Sequence, residues 1–363
     1  MPEADTMRLT VVGSAAAWST VPGRASSSYL VERITGGQEG DRERPGSAAG
    51  GPGVERGGAS GTNGGPGPAG GSGVEPGGGA ILLDMGQGSF SALAAYRDPA
   101  TLDAVLITHA HPDHCVDLVP LRLYLRYGCQ PPRTSRLFGP PELRARFDGL
   151  TGEPDFLCDL PGDPLVPGTF EIAGFEVSVA PVLHKETSFA FRIAPAAAAS
   201  TPGAGPERGG APRLGNGPAV GGAPRLGVVA EAGGASRPET QPAASGASRS
   251  RAGAATDRVP GRPAGAPGLV YSGDCGRADD LLPLIHPGDT LLVEASHGAG
   301  AMIEGPNHLN VAEVVRVATA ARVGRLVLTH ILDDVDPQAA LALARSTFAG
   351  EPLLAEPGLQ LTF

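Results

Sequence analysis

Four side chains of the kinds that bind metal ions stand within six residues of each other. They occupy one string, Thr108-His109-Ala110-His111-Pro112-Asp113-His114. An apolar run, residues 104–107, precedes the string, so a buried strand is predicted to end where it begins. His109 and His111 are two residues apart and project from the same side of an extended chain. The proline keeps His111 out of helical conformation, and the last two members of the string then open a helix.

Burial of this string beside an apolar strand carries a cost in free energy. Imidazole and carboxylate groups lose their hydration there unless a partner binds them. A transition-metal ion is such a partner, because it takes nitrogen and oxygen ligands. Histidines satisfied by hydrogen bonds alone are the alternative. Four ligand types at this spacing favour the metal site.

Three further residues of ligand type follow apolar strand candidates later in the chain. His184 ends the string Pro181-Val182-Leu183-His184, Asp274 ends Tyr271-Ser272-Gly273-Asp274, and His330 ends Leu326-Val327-Leu328-Thr329-His330. Taken singly, the histidines could be ordinary strand-end residues and the aspartate a turn residue. Taken together, and with each at the end of a strand, they favour a gathering of ligands at one edge of a sheet.

The string H-x-H-x-D-H resembles the signature of the metallo-β-lactamase superfamily. That resemblance implies the α/β class, with a four-layer αββα sandwich, and two metal ions. It places His109, His111 and His184 on one metal, Asp113, His114 and His330 on the other, and Asp274 between them. Zinc is the first expectation for histidine-rich ligation, with manganese and iron as alternatives. Asp84 matches the early aspartate of the family, which orients ligands, although a strand-terminal turn is its other interpretation.

The residues around the ligands resemble the branch that contains RNase Z and cyclic-nucleotide phosphodiesterases. The resemblance lies in the opening Gly13-Ser14 and in the run 188–193 after His184. Two metals can generate hydroxide near neutral pH and clamp both oxygens of a phosphodiester displacement. The predicted function is therefore metal-dependent hydrolysis of a cyclic nucleotide or a similar small phosphodiester by metal-bound hydroxide.

Two residues are predicted to act in the chemistry itself. His308, in Asn307-His308-Leu309-Asn310, resembles the RNase Z histidine that assists the leaving group, a task suited to imidazole. A loop histidine without a catalytic role is the other interpretation. Asp113 is counted both as a metal ligand and as a catalytic residue. No chemical role is assigned to Glu294 or His297.

Three alternative functions stay open at this point. An RNase Z-like endoribonuclease that processes tRNA 3′ ends shares the ligand set, but its folded basic arm would have to lie in a Gly/Pro/Ala-rich block here. A glyoxalase II-like thioesterase or lactonase shares the metal core, although the string around His184 differs. A non-enzymatic, metal-dependent binding module is the third. Assays with cyclic nucleotides, precursor tRNA and thioesters would separate them.

The elements that must position these residues alternate between strands and helices. The chain has 55 Gly and 36 Pro, and their excess is concentrated in two blocks, 36–79 and 195–268, which have few large apolar side chains. These blocks predict disordered insertions. The remainder predicts a single domain over 1–363. Strands are predicted at 8–14, 27–32, 80–84, 104–109, 175–180, 188–193, 269–272, 290–295 and 325–330. Helices are predicted at 89–96, 116–127, 141–150, 278–285 and 311–322.

Composition narrows the setting and the partners. The formal charge is −10, which argues against a surface generally coated with nucleic acid. The four cysteines form no C-x-x-C pair, and no apolar run is long enough to span a bilayer. We therefore expect a cytoplasmic protein with a small-molecule phosphodiester as partner and no membrane association. RNA is the less favoured partner, and a homodimer stays open.

Overall fold

The computed structural model describes residues 6–34, 79–196, 266–301 and 308–363. These residues lie in one compact unit, Met1–Ala197 with Gly265–Phe363, whereas a second unit, Ala198–Ala264, lies outside the described ranges. The expectation of a single domain over 1–363 therefore stays a prediction. No helix in the described part of the chain is long and apolar enough to cross a membrane.

Thirteen strands of the described residues form two mixed sheets. The first sheet has the order β13-β1-β2-β3-β4-β5 and the second the order β12-β11-β10-β9-β8-β7-β6. The strands of the first sheet are β1 (Thr6–Gly13), β2 (Ser28–Ile34), β3 (Ala80–Leu83), β4 (Ala104–Leu106), β5 (Arg136–Phe138) and β13 (Gln360–Thr362). Those of the second are β6 (Gly168–Ile172), β7 (Phe175–Val182), β8 (Ser188–Pro195), β9 (Leu269–Tyr271), β10 (Thr290–Glu294), β11 (Arg325–Thr329) and β12 (Leu353–Leu354).

Both sheets carry apolar side chains on their two faces. Along β10, Leu292 packs between the sheets whereas Leu291 and Val293 pack on the opposite face. Along β4, Leu106 packs between the sheets and Val105 faces the other way. Successive strand residues point to opposite faces, so continuous apolar runs belong to strands that are covered on both sides.

Helices supply the two outer layers. They are α1 (Ser89–Leu93), α2 (Pro112–Cys115), α3 (Leu118–Leu123), α4 (Leu143–Thr151), α5 (Val311–Ala320) and α6 (Pro337–Thr347). Apolar residues of α5 and α6 pack on the second sheet, and residues of α1, α3 and α4 pack on the first. With the core between the sheets, this makes the predicted αββα sandwich.

The beginning of α5 follows from local chemistry that its sequence predicts. The Asn310 side chain accepts a hydrogen bond from the backbone N–H of Glu313 at 3.0 Å, which satisfies one of the free donors of the first turn. Val311, Val314 and Val315 are buried, so one apolar face of the helix packs on the second sheet.

The predicted insertions are correct in position but too wide at their edges. Nearly all of 36–79 and 195–268 lies outside the described residues, so their predicted disorder stays a prediction. Gly79, however, accepts a hydrogen bond from Arg33 N–H, and Pro195 is the last residue of β8. Gly268 donates its N–H to the buried Asp289 carboxylate. Backbone pairing therefore begins a few residues inside the Gly/Pro-rich composition.

Several elements differ from the predicted ones. The helix predicted at 278–285 is a four-residue 3₁₀ turn, Ala278–Leu281, and a proline follows two residues later. The helix predicted at 116–127 begins at Leu118 and passes into a π-helical turn at Tyr124–Gly128. Helix α6 and strands β5, β6, β12 and β13 were not predicted. These strands are short or, in the case of β6, mostly exposed.

Candidate metal centre

All seven predicted ligands lie where strands end, at one edge of the two sheets. The string that begins with His109 follows β4 in the first sheet. In the second sheet, His184 follows β7 by two residues, Asp274 follows β9 by three, and His330 follows β11 directly. His111 is extended at φ −72° and ψ 146°, and Pro112 begins α2, as the sequence predicts. The strand ends therefore gather histidine and aspartate side chains from both sheets.

Four of these residues form what we call the inner cluster: Asp113, His114, His330 and Asp274. All four are buried. His114 Nε2 lies 3.2 Å from Asp274 Oδ1 and 3.6 Å from Asp113 Oδ2. His330 Nε2 lies 3.4 Å from Asp274 Oδ1 and 3.2 Å from Asp113 Oδ2, and the two Nε2 atoms are 3.2 Å apart.

These separations fit a tetrahedral cation site. Bonds of about 2.0–2.2 Å from zinc to nitrogen and oxygen ligands give edges of about 3.3–3.6 Å between the ligand atoms of a tetrahedron. Five of the six separations within the inner cluster run from 3.2 to 3.6 Å. Asp274 Oδ1 is buried and has no hydrogen-bond partner among the described residues. The donors of the inner cluster therefore fit a metal ion.

The hydrogen bonds made by the outward-facing nitrogen of each imidazole also support a cation site. His114 Nδ1 lies 2.7 Å from Asp84 Oδ2, and because a carboxylate only accepts, this Nδ1 carries the proton. His330 Nδ1 lies 3.0 Å from Ser296 Oγ, whose own proton goes to Glu294 Oε2 at 2.7 Å. When both rings are neutral, as metal ligation requires, their two Nε2 lone pairs face each other. A cation between them removes the repulsion.

The remaining ligands form the outer cluster: His109, His111 and His184, with Asp274 shared. His111 Nδ1 lies 2.9 Å from His109 Nε2 and 3.3 Å from His184 Nε2. His109 Nε2 lies 3.6 Å from Asp274 Oδ2, so the two oxygens of this carboxylate face different clusters. His109 is fully buried, whereas His111 keeps 30% of its side chain exposed. The outer cluster lies nearer to solvent.

Asp84 connects the two clusters from behind, as its sequence position predicts. Its carboxylate accepts hydrogen bonds from His114 Nδ1–H, from the Thr108 backbone and hydroxyl, and from the Tyr271 hydroxyl. The Thr108 hydroxyl in turn lies 3.1 Å from His109 Nδ1. Asp84 is fully buried at φ +57°, a left-handed conformation that aspartate tolerates better than most residues. One carboxylate thus orients a ligand in each cluster.

Electrostatics keep the two carboxylates anionic and His109 neutral, whereas the pKa of His114, which burial lowers, is raised well above its usual range by Asp274 and Asp113. Burial lowers the pKa of His109 well below its usual range, and His114 adds to this. Burial works against the charge of Asp274, yet the imidazoles of His330 and His114 hold the pKa of this carboxyl well below its usual range. The pKa of the Asp113 carboxyl is likewise lowered, against burial, by His114 and His330. Both carboxylates are therefore anionic.

His308 lies beside both clusters. Its Nδ1 is 3.2 Å from Glu294 Oε1 and 3.8 Å from Asp274 Oδ2, and its ring centroid is 5.6 Å from that of His330. Burial opposes protonation, but the bond to Glu294 raises the pKa of His308 to about 9. The residue before it, Asn307, lies outside the described ranges. The structure therefore places His308 next to the predicted ligands.

Three residues of the site, Glu294, Glu186 and His297, had no predicted role. Glu294 ends β10 and accepts hydrogen bonds from Cys275 N–H, Ser296 N–H and the Ser296 hydroxyl, in addition to its contact with His308. Its position at a strand end was the available signal. Glu186 lies 3.5 Å from His111 Nε2, and no spacing in the sequence marks this pairing. His297 contacts His308 edge-to-face at 6.0 Å.

Comparisons with known proteins agree with this geometry. A family model described as the Metallo-beta-lactamase superfamily matches residues 74–192, which include the string from His109 to His114. A Ribonuclease Z of Bradyrhizobium sp. (strain ORS 278) is 31% identical over 284 residues, which cover 76% of this chain and 87% of that protein. An uncharacterized protein of Mycobacterium leprae (strain TN) is 27% identical over 283 residues, 74% of this chain and 73% of the relative.

A solved structure shares the fold. The crystal structure of the metallo-beta-lactamase fold protein YhfI from Bacillus subtilis superposes with a TM-score of 0.61, covering 99% of this chain and 100% of that chain. The two sequences are 19% identical in this comparison, so the likeness bears on the fold alone.

Proposed function

Because the chain belongs to the metallo-β-lactamase superfamily, we propose that it hydrolyses a cyclic nucleotide or a similarly small phosphodiester. The chain is a metallo-hydrolase of this superfamily, with His/Asp clusters able to hold divalent metals. One observation carries the finer proposal. Two clusters of donor atoms share the carboxylate of Asp274, and an imidazole that belongs to neither cluster, His308, lies beside them.

The fit of the donors supports the metal positions in this proposal. The inner cluster would hold one ion and the outer cluster the other, with zinc expected first and manganese or iron as alternatives. When bound, two such ions supply positive charge for the phosphoryl oxygens and lower the pKa of water. Asp113 contributes as an anionic ligand in the inner cluster and has no separate proton-transfer step in this proposal.

His308 is the proposed general acid. Its Nδ1 faces the Glu294 carboxylate at 3.2 Å, which fixes the ring and leaves Nε2 as the atom that can meet substrate. As the phosphorus–oxygen bond to the leaving group breaks, the Nε2 proton goes to that oxygen. Glu294 is buried and accepts the hydrogen bond of His308, so it positions His308 without touching substrate.

A small substrate is favoured over RNA by the composition of the chain. The whole chain has a formal charge of −10, and the block 195–268 between His184 and Asp274 carries several Arg, no Lys and few large apolar residues. Recognition of a folded RNA draws on a positively charged surface, because phosphate contacts dominate its affinity. A small diester needs only the two clusters of predicted ligands and His308.

RNase Z-like processing of tRNA 3′ ends is the second candidate. The observation that favours it is the relative named Ribonuclease Z, which is 31% identical over 284 residues. In that case the segment between His184 and Asp274 would bind RNA. The two candidates share the metal centre and His308, so they differ in substrate and not in chemistry.

A substrate panel tests the proposal. The purified protein, loaded with zinc or manganese, is assayed on a generic aryl phosphodiester, on 3′,5′- and 2′,3′-cyclic nucleotides, on precursor tRNA and on a thioester. We expect close to two metal ions per chain and the highest kcat/KM on a cyclic nucleotide. Cleavage of precursor tRNA with little turnover of cyclic nucleotides would support the second candidate. Turnover of the thioester alone, or metal-loaded protein without any hydrolysis, would overturn both.

A further inference from the structure

Three ligand imidazoles have an acceptor on the nitrogen that faces away from the clusters. His114 donates to Asp84, His109 to the Thr108 hydroxyl, and His330 to the Ser296 hydroxyl. Each acceptor fixes which nitrogen carries the proton, so the other nitrogen presents its lone pair to the cluster. The same requirement applies to His111, whose inward atom is Nδ1.

Glu186 is the residue that His111 Nε2 faces. Its Oε1 lies 3.5 Å from that nitrogen, which is longer than a hydrogen bond but within ion-pair range. Glu186 Oε2 is buried and has no hydrogen-bond partner among the described residues. The terminal torsion of a glutamate side chain is broad. A rotation of the carboxyl group can therefore bring an oxygen to hydrogen-bonding distance of His111.

Arg146 holds the Glu186 carboxylate in this place. Its NH2 group lies 2.6 Å from Glu186 Oε1, and its NH1 group donates to the Ala110 carbonyl, inside the ligand string, at 3.4 Å. Arg146 belongs to α4, on the first sheet, whereas Glu186 lies in the β7–β8 loop of the second sheet, two residues after His184. The pair thus connects the two loops that supply the outer cluster.

We propose that Glu186, held by Arg146, is a positioning residue of the outer cluster. It accepts the Nε2 proton of His111, keeps the Nδ1 lone pair directed at the cluster, and fixes the loop that carries His184. This inference rests on the metal sites of the proposed function and adds a residue to them. Glu186 touches neither substrate nor metal in this role.

Metal binding tests the proposal directly. Zinc affinity is measured by competition with a chromophoric chelator, and cobalt-loaded protein is followed by its visible absorption, for wild type, Glu186→Ala and Glu186→Gln. We expect the metal of the more exposed outer cluster to be the weaker-binding one. Glu186→Ala should raise the Kd of this metal by about 10–100-fold, the usual cost of removing a residue that orients a metal ligand. The tighter metal should keep its affinity. Glu186→Gln retains an acceptor oxygen, so its Kd for that metal should lie between those of wild type and Glu186→Ala.

Glu153→Gln is the matched control, because Glu153 pairs with Arg122 at 3.0 Å and belongs to neither cluster nor to the β7–β8 loop. It should bind both metals as wild type does. Unchanged affinities in folded Glu186→Ala would overturn the inference, and so would an equal loss at both sites, which indicates general loosening of the fold. Failure of wild-type protein to bind metal would instead remove the proposed function, so the two failures are distinguishable.

Discussion

The inner and outer clusters share one aspartate but differ in how they are held. Every member of the inner cluster is buried. Its imidazoles are held by hydrogen bonds to Asp84 and, through Ser296, to Glu294, and both of these carboxylates are buried. In the outer cluster His111 is 30% exposed, and its partner Glu186 is 23% exposed. The outer positions thus depend on a loop and a surface helix.

This difference separates two tasks within one centre. A buried, fully oriented set of donors loses little entropy on binding a cation and excludes water, so we expect tight, persistent binding there. A partly exposed set leaves room for substrate and exchanges its ion more readily. The predictions below test that division, from the largest expected effect to the smallest.

Asp274→Ala should have the largest effect, because it removes the one carboxylate that both clusters share. We expect both metals to bind more weakly. Hydrolysis should fall by well over about 100-fold, which is the upper cost of losing a residue that only orients a metal ligand. Metal content after dialysis and turnover of an aryl phosphodiester measure this. Asp279→Ala, at an exposed aspartate paired with Arg316, is the control. If Asp274→Ala kept one metal at wild-type affinity, the carboxylate would belong to a single cluster.

His308→Ala should leave both metals bound and slow hydrolysis. Loss of a general acid costs about 10²–10⁴-fold in rate, and the cost should be greatest for an alkoxide leaving group. A nitrophenolate leaves with little need of protonation, so its loss should be smaller. Rates for both kinds of substrate are compared with metal content, with His286→Ala as the control. Equal slowing of both substrates would reduce His308 to a substrate-positioning role.

Asp84→Asn should weaken the inner cluster more than the outer one. Asparagine tolerates the left-handed backbone at this position, but its amide cannot accept from every donor that faces the carboxylate. His114 is bonded to Asp84 directly, whereas His109 is reached only through Thr108. We expect the inner metal to bind about 10–100-fold more weakly. A chelator titration decides it, and preferential loss of the outer metal would reverse the comparison between the clusters.

The places of the predicted ligands could be inferred from the sequence because local rules decide them. Each follows an apolar strand, and Pro112 sets both the extended backbone of His111 and the beginning of α2. The partners of the ligands are different. Glu294 bonds His308 from 14 residues away, and Arg146 meets Glu186 across two sheets. Such pairings depend on how the sheets stack, which local periodicity does not contain.

The strands that sequence reasoning missed lack the pattern that reveals strands. β6 is mostly exposed and β12 has two residues, so neither carries the apolar alternation of a half-buried strand. The helix predicted at 278–285 had suitable composition, but the chain there forms a 3₁₀ turn that gives way near Pro283. Tertiary packing and proline sterics outweighed propensity at these places.

Removing the two Gly/Pro-rich blocks should have the smallest effect on the metal centre, provided that the cuts respect the observed strand pairing. β2 and β3 are antiparallel neighbours with Glu32 opposite Ala80, and β8 and β9 are antiparallel neighbours with Ile193 opposite Leu269. In proteins generally, a turn of two to five residues is enough to join two antiparallel neighbouring strands. Deletions of 36–78 and of 198–264, each closed by a short Gly/Ser turn, keep Gly79, Pro195 and Gly268 with their contacts.

Because loop closure costs about 0.6 kcal/mol for each doubling of loop length, the free energy of unfolding of each deletion variant should stay level or rise by up to about 2.5 kcal/mol. Metal content and small-diester turnover should match wild type, as measured by metal analysis, chemical unfolding and steady-state kinetics. Loss of cooperative unfolding in either deletion would mean that the removed block is part of the fold. Retained diester turnover with loss of RNA cleavage in the second deletion would assign that block to RNA binding.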